Sequence, residues 1–159
     1  MTGRLFLAAE AGMVQWSEHW YQCNQNYQGA LEIYSRHYTY AGGNYAASHS
    51  IVGPGERIVL VTAEEDALFI WRREAFRMDG QQGANCAVFR NEGLTLSSGL
   101  IIEAEQLAWK RWPGERLFTF VNPTKVQSAN PGYCFICAVW SRCGTTRKGL
   151  IILEKEAAQ

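Results

Sequence analysis

Three short apolar runs do most to limit what this chain can fold into: Arg57-Ile-Val-Leu-Val-Thr62, Ala67-Leu-Phe-Ile-Trp71 and Asn85-Cys-Ala-Val-Phe89. Each is rich in β-branched and aromatic residues and too short for a buried helix, so each predicts a strand. Gly53-Pro54-Gly55 precedes the first run, the acidic Glu64, Glu65 and Asp66 separate the first two, and a glycine-containing stretch, 79–83, leads into the third. The first two therefore predict a hairpin, and the three together a β-meander.

The rest of the chain reads as cover for that sheet. Ser97 and Ser98 precede Leu100, Ile101, Ala104, Leu107, Ala108 and Trp109, the spacing of an apolar helix face with serine at the cap. Pro113-Gly114 stops it, 116–121 reads as a strand, Asn130-Pro131 opens another helix, and 150–153 closes as a strand. Upstream, Trp16, Trp20, Ala30, Leu31 and Tyr34 fit helical spacing and predict one or two helices over 12–35. A loop follows over 35–49, around Gly42 and Gly43. The expected fold class is α+β (mixed α/β) in one domain, 1–159: a helical and loop part over 1–56, a sheet core over 57–154 and a tail over 155–159.

Composition narrows the function classes. Fifteen basic residues balance fifteen acidic ones, so no global field draws a polyanion, and any nucleic-acid contact must come from a local basic surface. No window approaches about 20 apolar residues, so no membrane span is expected, and the first twelve residues do not make an export signal. Five cysteines, an odd number, favour reduced thiols, and the expected compartment is cytoplasmic.

Several segments can carry chemistry. Phe89, Arg90, Asn91, Glu92 and Gly93 run into the helix start Ser97, Ser98, Gly99, where free backbone N–H groups can dock an anion; an ordinary serine-capped loop explains the same residues. Asn130 suits an N-cap and Pro131 the first helical position. Tyr133, one turn in, can donate a proton or simply pack with Phe135 and Trp140. His37 with Tyr38 can act as base, acid or hard-metal ligands, or serve a structural role.

Cys134-x-x-Cys137 with Cys143 reads as buried thiols rather than zinc. Glu103, Glu105, Lys110 and Arg111 read as a solvated helix face. Arg72, Arg73, Arg77 and Arg90, and separately Lys125, Arg142, Arg147 and Lys148, can meet phosphates. Trp16, Trp20, Tyr38, Tyr40 and Tyr45 can stack on an extruded base, with some of the tryptophans in the core.

The strand 116–121, the asparagine-initiated helix, Ala138-Val139-Trp140, Gly144 and the strand 150–154 resemble the C-terminal half of GNAT acyltransferases. The resemblance implies a central, mostly antiparallel sheet flanked by helices and an acyl-coenzyme A site. Phe89, Arg90, Asn91, Glu92, Gly93, Ser97, Ser98 and Gly99 would cradle the pyrophosphate, and Asn130 would order the acyl arm. His37-Tyr38, Ile51-Val-Gly-Pro-Gly-Glu56, Phe89-Arg-Asn-Glu92, Ser97-Ser98 and Asn130-Pro-Gly-Tyr-Cys-Phe135 are similar to the Mom group of phage-type DNA-modification proteins.

That similarity implies acyl-coenzyme A-dependent modification of the exocyclic amine of adenine in DNA, which protects the DNA from restriction. His37, Tyr38 and Tyr133 would surround the amine, and iron is a candidate metal at His37 and Tyr38. DNA and acetyl- or another acyl-coenzyme A are the implied partners, with a homodimer left open. Two features depart from the GNAT pattern: the loop lacks Gln/Arg-x-x-Gly-x-Gly/Ala, and Val139 stands where Ala-Gly-aromatic is usual. Two other readings stand beside this one, an N-acetyltransferase of a small amine or protein and a non-catalytic GNAT-fold binding or inhibitor protein.

Overall fold

The computed structural model describes residues 12–40, 52–126 and 130–158. The expected hairpin forms as β3 (Glu56–Thr62) and β4 (Ala67–Arg73), and the third run as β5 (Ala84–Asn91). Helix α2 (Ser97–Arg111) then crosses over to β6 (Leu117–Val121), which lies parallel to β5. Parallel neighbours require such a crossover, because a tight turn can only reverse the chain. A short helix, α3 (Tyr133–Cys137), leads to β7 (Ser141–Thr145) and β8 (Ile151–Lys155).

At the other end of the chain lie β1 (Val14–Gln15), β2 (Trp20–Cys23) and α1 (Gln28–Tyr34). The eight strands make one mixed sheet in the order β1-β2-β3-β4-β5-β6-β8-β7, antiparallel at every pairing except β5 with β6. The expected α+β class holds at that level: a mostly antiparallel sheet with three helices among the described residues.

Helix α1 covers one face, where Ala30, Ile33 and Tyr34 pack with Val59, Val61, Leu68, Ile70 and Val88. Helices α2 and α3 cover the other, where Leu100, Ile101, Ala104 and Phe135 pack with Trp20, Phe69, Trp71, Leu117 and Leu153. Alternation along each strand divides the side chains between the two faces. Each large apolar side chain buried in this way contributes about 1.5–3 kcal/mol.

Four expectations are corrected. The helical spacing of Trp16 and Trp20 is incidental, since Trp20 lies on β2 and pairs with Thr62. Its indole is fully buried and donates to Leu100 O at 2.9 Å, so sheet extension and core burial override local periodicity. Neither serine caps α2: the N-cap is Leu96, without a side-chain cap bond, and Ser97 is already helical. Asn130 and Pro131 precede α3 by a turn, and the N-cap is Gly132 at φ 79°.

Nor is the 103–111 face simply solvated. Glu105 is buried, accepting from Lys155 Nζ at 2.7 Å and Trp140 Nε1 at 2.7 Å, because it points toward β8 rather than outward. Strand β7, all of it exposed, is too short and polar to announce itself as a strand. The loop expected over 35–49 lies partly outside the described residues, as does Tyr45. No helix among the described residues is long and apolar enough to cross a membrane.

Candidate active site

Strand β5 pairs with β6 only through Ala84, Asn85 and Cys86, yet it pairs with β4 as far as Asn91. Beyond Cys86 the parallel strands part, and among the described residues the backbone edge of β5 from Ala87 onward has no strand beside it. A cleft of about 500 Å³ fills the gap on the α2/α3 side. A second chamber of about 590 Å³ lies on the α1 side, lined by Tyr34 and Val52. Tyr38, Cys86, Ala87, Phe120 and Lys125 line both, so the two chambers adjoin at these residues.

The first chamber gathers much of what the sequence singled out: His37, Tyr38, Phe89, Arg90, Asn91 and Ser97 all line it. Asn91 fixes the loop that follows β5. Its Nδ2 donates to Thr95 O at 2.6 Å and Ser97 Oγ at 3.0 Å, and its Oδ1 accepts from Gly93 N at 3.0 Å. Gly93 is required there, because a Cβ would sit 2.2 Å from Asp66 Oδ2.

Glu92 points away from the chamber and bridges Arg36 and Arg90, with Nε–Oε2 separations of 2.6 and 2.7 Å. The two guanidiniums, Arg36 foremost, pull its carboxyl down to about 2, so it stays ionised. Glu92, Gly93, Ser98, Gly99, Asn130 and Tyr133 do not line either chamber. Tyr133 is 57% exposed, beside the Cys137 sulfur that raises its pKa.

His37 stacks on Tyr38 with ring centroids 4.5 Å apart and 25° between planes. Its Nδ1 accepts from the Thr39 backbone N–H at 3.2 Å and lies 2.7 Å from Thr39 Oγ1. A backbone N–H can only donate, so the proton of the neutral imidazole sits on Nε2. Burial, reinforced by Arg90, holds the ring down to about 4, so His37 is neutral near pH 7. With Nδ1 engaged by the Thr39 N–H, the nitrogen left free is the Nε2–H donor. The Tyr38 hydroxyl accepts from Asn122 N at 3.3 Å, and burial raises its pKa, so the phenol keeps its proton.

No signal in the sequence pointed to Cys86, Thr119 or Phe120. Thr119 lines the first chamber while donating to Cys86 O at 2.8 Å, where the two strands last touch. Gly132 and Cys134 also line it, although Asn130, the residue expected to matter in that segment, does not. All five cysteines are free, but Cys137 and Cys143 are exposed, which corrects the expectation of buried thiols there. Among the described residues, the one set of three His, Cys, Asp or Glu side chains close enough to share a metal is Glu18, His19 and Glu103, away from His37.

Trp20 is core and Tyr40 packs edge-on against Tyr34, 5.2 Å between centroids, so of the aromatics expected to stack on a base it is Tyr38 that faces both chambers. Arg72, Arg73, Arg77 and Arg90 are each taken up in ion pairs with Glu74, Glu115, Asp79 and Glu92. Lys125, Arg142, Arg147 and Lys148 are exposed and have none among the described residues.

The fold and the site define a mixed α+β protein with a two-chambered cleft opened by a parting parallel strand pair. No family model and no curated protein matches the chain.

Proposed function

We propose that the protein is a GNAT-type, acyl-coenzyme A-dependent N-acyltransferase that modifies the exocyclic amine of adenine in DNA, as the similarity to the Mom group implies. The observation that carries the acyl-carrier half of this reading is the unpaired edge of β5 beyond Cys86. An open strand edge offers alternating N–H and C=O groups to an extended, amide-bearing chain, which is what the pantetheine arm is. Arg36 and Arg90 share the single Glu92 carboxylate, which leaves one net positive charge, and with Lys125 at the same chamber they supply charge for phosphates.

Acyl-coenzyme A supplies an activated thioester, whose C–S bond breaks as a C–N bond forms to the acceptor amine. His37 Nε2–H suits the carbonyl oxygen on which negative charge builds. Tyr38, which lines both chambers with its phenol protonated, suits the leaving sulfur as proton donor, and the proton shed by the acylated nitrogen restores the phenol, so the net transfer is one proton from amine to thiol. Tyr133, exposed and outside both chambers, suits neither task. The free cations Arg142, Arg147 and Lys148 would hold the DNA backbone.

A second reading, acylation of a small amine, is favoured by the ion-paired arginines and the zero net charge. Nucleoside mass spectrometry of DNA from cells expressing the soluble protein separates the two. An acyl-type mass increase on deoxyadenosine supports the DNA reading. Unmodified deoxyadenosine together with consumption of acetyl-coenzyme A by added amines supports the small-amine reading, and no binding of acetyl-coenzyme A by calorimetry overturns both.

A further inference from the structure

Arg72 on β4 and Asn85 on β5 face each other across the sheet, and both line the α1-side chamber. Asn85 is only 6% exposed, yet its Oδ1 has no hydrogen-bond partner; the buried Nε of Arg72 has none either. The rest of the guanidinium is occupied. Nη1 donates to Val52 O and Nη2 donates to Glu74 Oε2 at 2.6 Å, so the group cannot turn to satisfy Nε without giving up those bonds. Gly53 completes the clamp, since any side chain there would come within 2.7 Å of Nη1.

Buried polar atoms without partners are costly and few in folded proteins. Here two such atoms sit on facing residues that open into one chamber. Arg72 Nε–H is a donor only, and the free Asn85 oxygen is an acceptor. Together they match an edge that places a donor beside an acceptor. Tyr38 and Phe120, lining the same chamber, suit a flat ligand.

We propose that Asn85 and Arg72 are the recognition pair of the α1-side chamber and read the edge of an amino-substituted heterocycle. Asn85 Oδ1 takes an N–H of the exocyclic amine, and Arg72 Nε–H donates to the adjacent ring nitrogen. This rests on the reading above in placing the acceptor substrate on the α1 side. Within that reading, it makes these two residues the determinants of which base is accepted.

The test is calorimetric titration of the full chain with 2′-deoxyadenosine and with 2′-deoxyinosine, whose carbonyl and ring N–H reverse the donor–acceptor pattern. The expected result is a preference for deoxyadenosine of at least about tenfold, the discrimination a two-bond edge contact provides. Asn85→Leu reduces the preference to the part the Arg72 contact alone provides, and Asn85→Asp, which keeps the acceptor, retains it. Asn85→Leu also leaves the urea midpoint unchanged or higher, because it removes an unpaired group and no bond.

Equal binding of the two nucleosides, binding of neither, or a lowered midpoint in Asn85→Leu overturns the inference. The two proposals fail separately. DNA modification without base discrimination sinks the recognition pair alone, whereas discrimination without acyl transfer sinks the proposed function alone.

Discussion

Replacing Val139 by glycine should stabilise the protein. Val139 follows α3 at φ 70°, a left-handed conformation that is an outlier for a β-branched residue. The local bonds are those of a Schellman motif: Val139 N donates to Ile136 O and Trp140 N to Phe135 O, both at 2.9 Å. The usual hydrophobic contact is present too, with the Trp140 and Phe135 rings 4.9 Å apart. The position wants glycine.

Relieving the left-handed valine returns about 1–2 kcal/mol, and the freedom glycine gains in the unfolded chain removes about 0.5–1. Val139 is 74% exposed, so little apolar burial is lost. The net expectation is a gain of about 0.5–1 kcal/mol, a rise in Tm of roughly 1–4 °C. Urea denaturation should show a higher midpoint at unchanged slope. Val139→Ala keeps the left-handed Cβ cost and should recover less of the gain. If Val139→Gly is neutral or destabilising, or if alanine does as well, backbone strain at this residue is not what the valine costs.

Gly132→Ala should destabilise by about 2 kcal/mol in the same assay, since it combines a left-handed φ of 79° with a Cβ only 2.7 Å from the buried Leu153 Cδ1; an unchanged midpoint would refute the tight approach. Lys155→Met should cost about 3 kcal/mol by stranding the buried Glu105 carboxylate, and the double change with Glu105→Leu should recover most of it; equal losses in single and double variants would refute the pairing. For His37, the folded pKa of about 4 lies below the unfolded 6.5, so the unfolded chain binds more protons between them and stability rises with pH. That contribution is complete above pH 6.5 and is lost as pH falls through 4. With partial exposure discounted it amounts to about 2 kcal/mol, and His37→Gln should flatten the acid limb by that much; identical acid limbs would refute the burial of a neutral ring.

Where burial is continuous, the sequence was readable. The runs that became β3, β4 and β5 are apolar on both faces, because α1 packs on one side of them and α2 on the other, and nothing else that short stays apolar throughout. Helix α2 declared itself through Leu100, Ile101, Ala104, Leu107 and Ala108, all of them buried. Strands β1 and β7 did not. They are short and exposed edge strands held by backbone pairing and a few polar side-chain contacts, and edge pairing leaves no hydrophobic pattern. The capping residues misled for a related reason, because Asn91, six positions upstream, takes the Ser97 hydroxyl for the loop.

The candidate site divides along the same line. His37, Tyr38 and the strand-to-loop residues Phe89, Arg90, Asn91 and Ser97 carry recognisable chemistry and converge on the first chamber, whereas the second chamber's pair, Arg72 and Asn85, read as one of a phosphate-contacting arginine cluster and an ordinary strand residue. Their meaning depends on register. A one-residue slip of β5 against β4 would turn Asn85 to the opposite face and leave Arg72 facing a different partner. That register is fixed by the bulge between Ile70 and Trp71, which lies just before Arg72 in the ladder. The bulge shifts the pairing so that Trp71 meets Cys86 and Arg72 meets Asn85, at the last rungs where β5 still touches β6. The same local irregularity therefore places the facing polar pair beside the point where β5 and β6 part, and a change that removed the bulge would separate the recognition pair from that point even with every side chain retained.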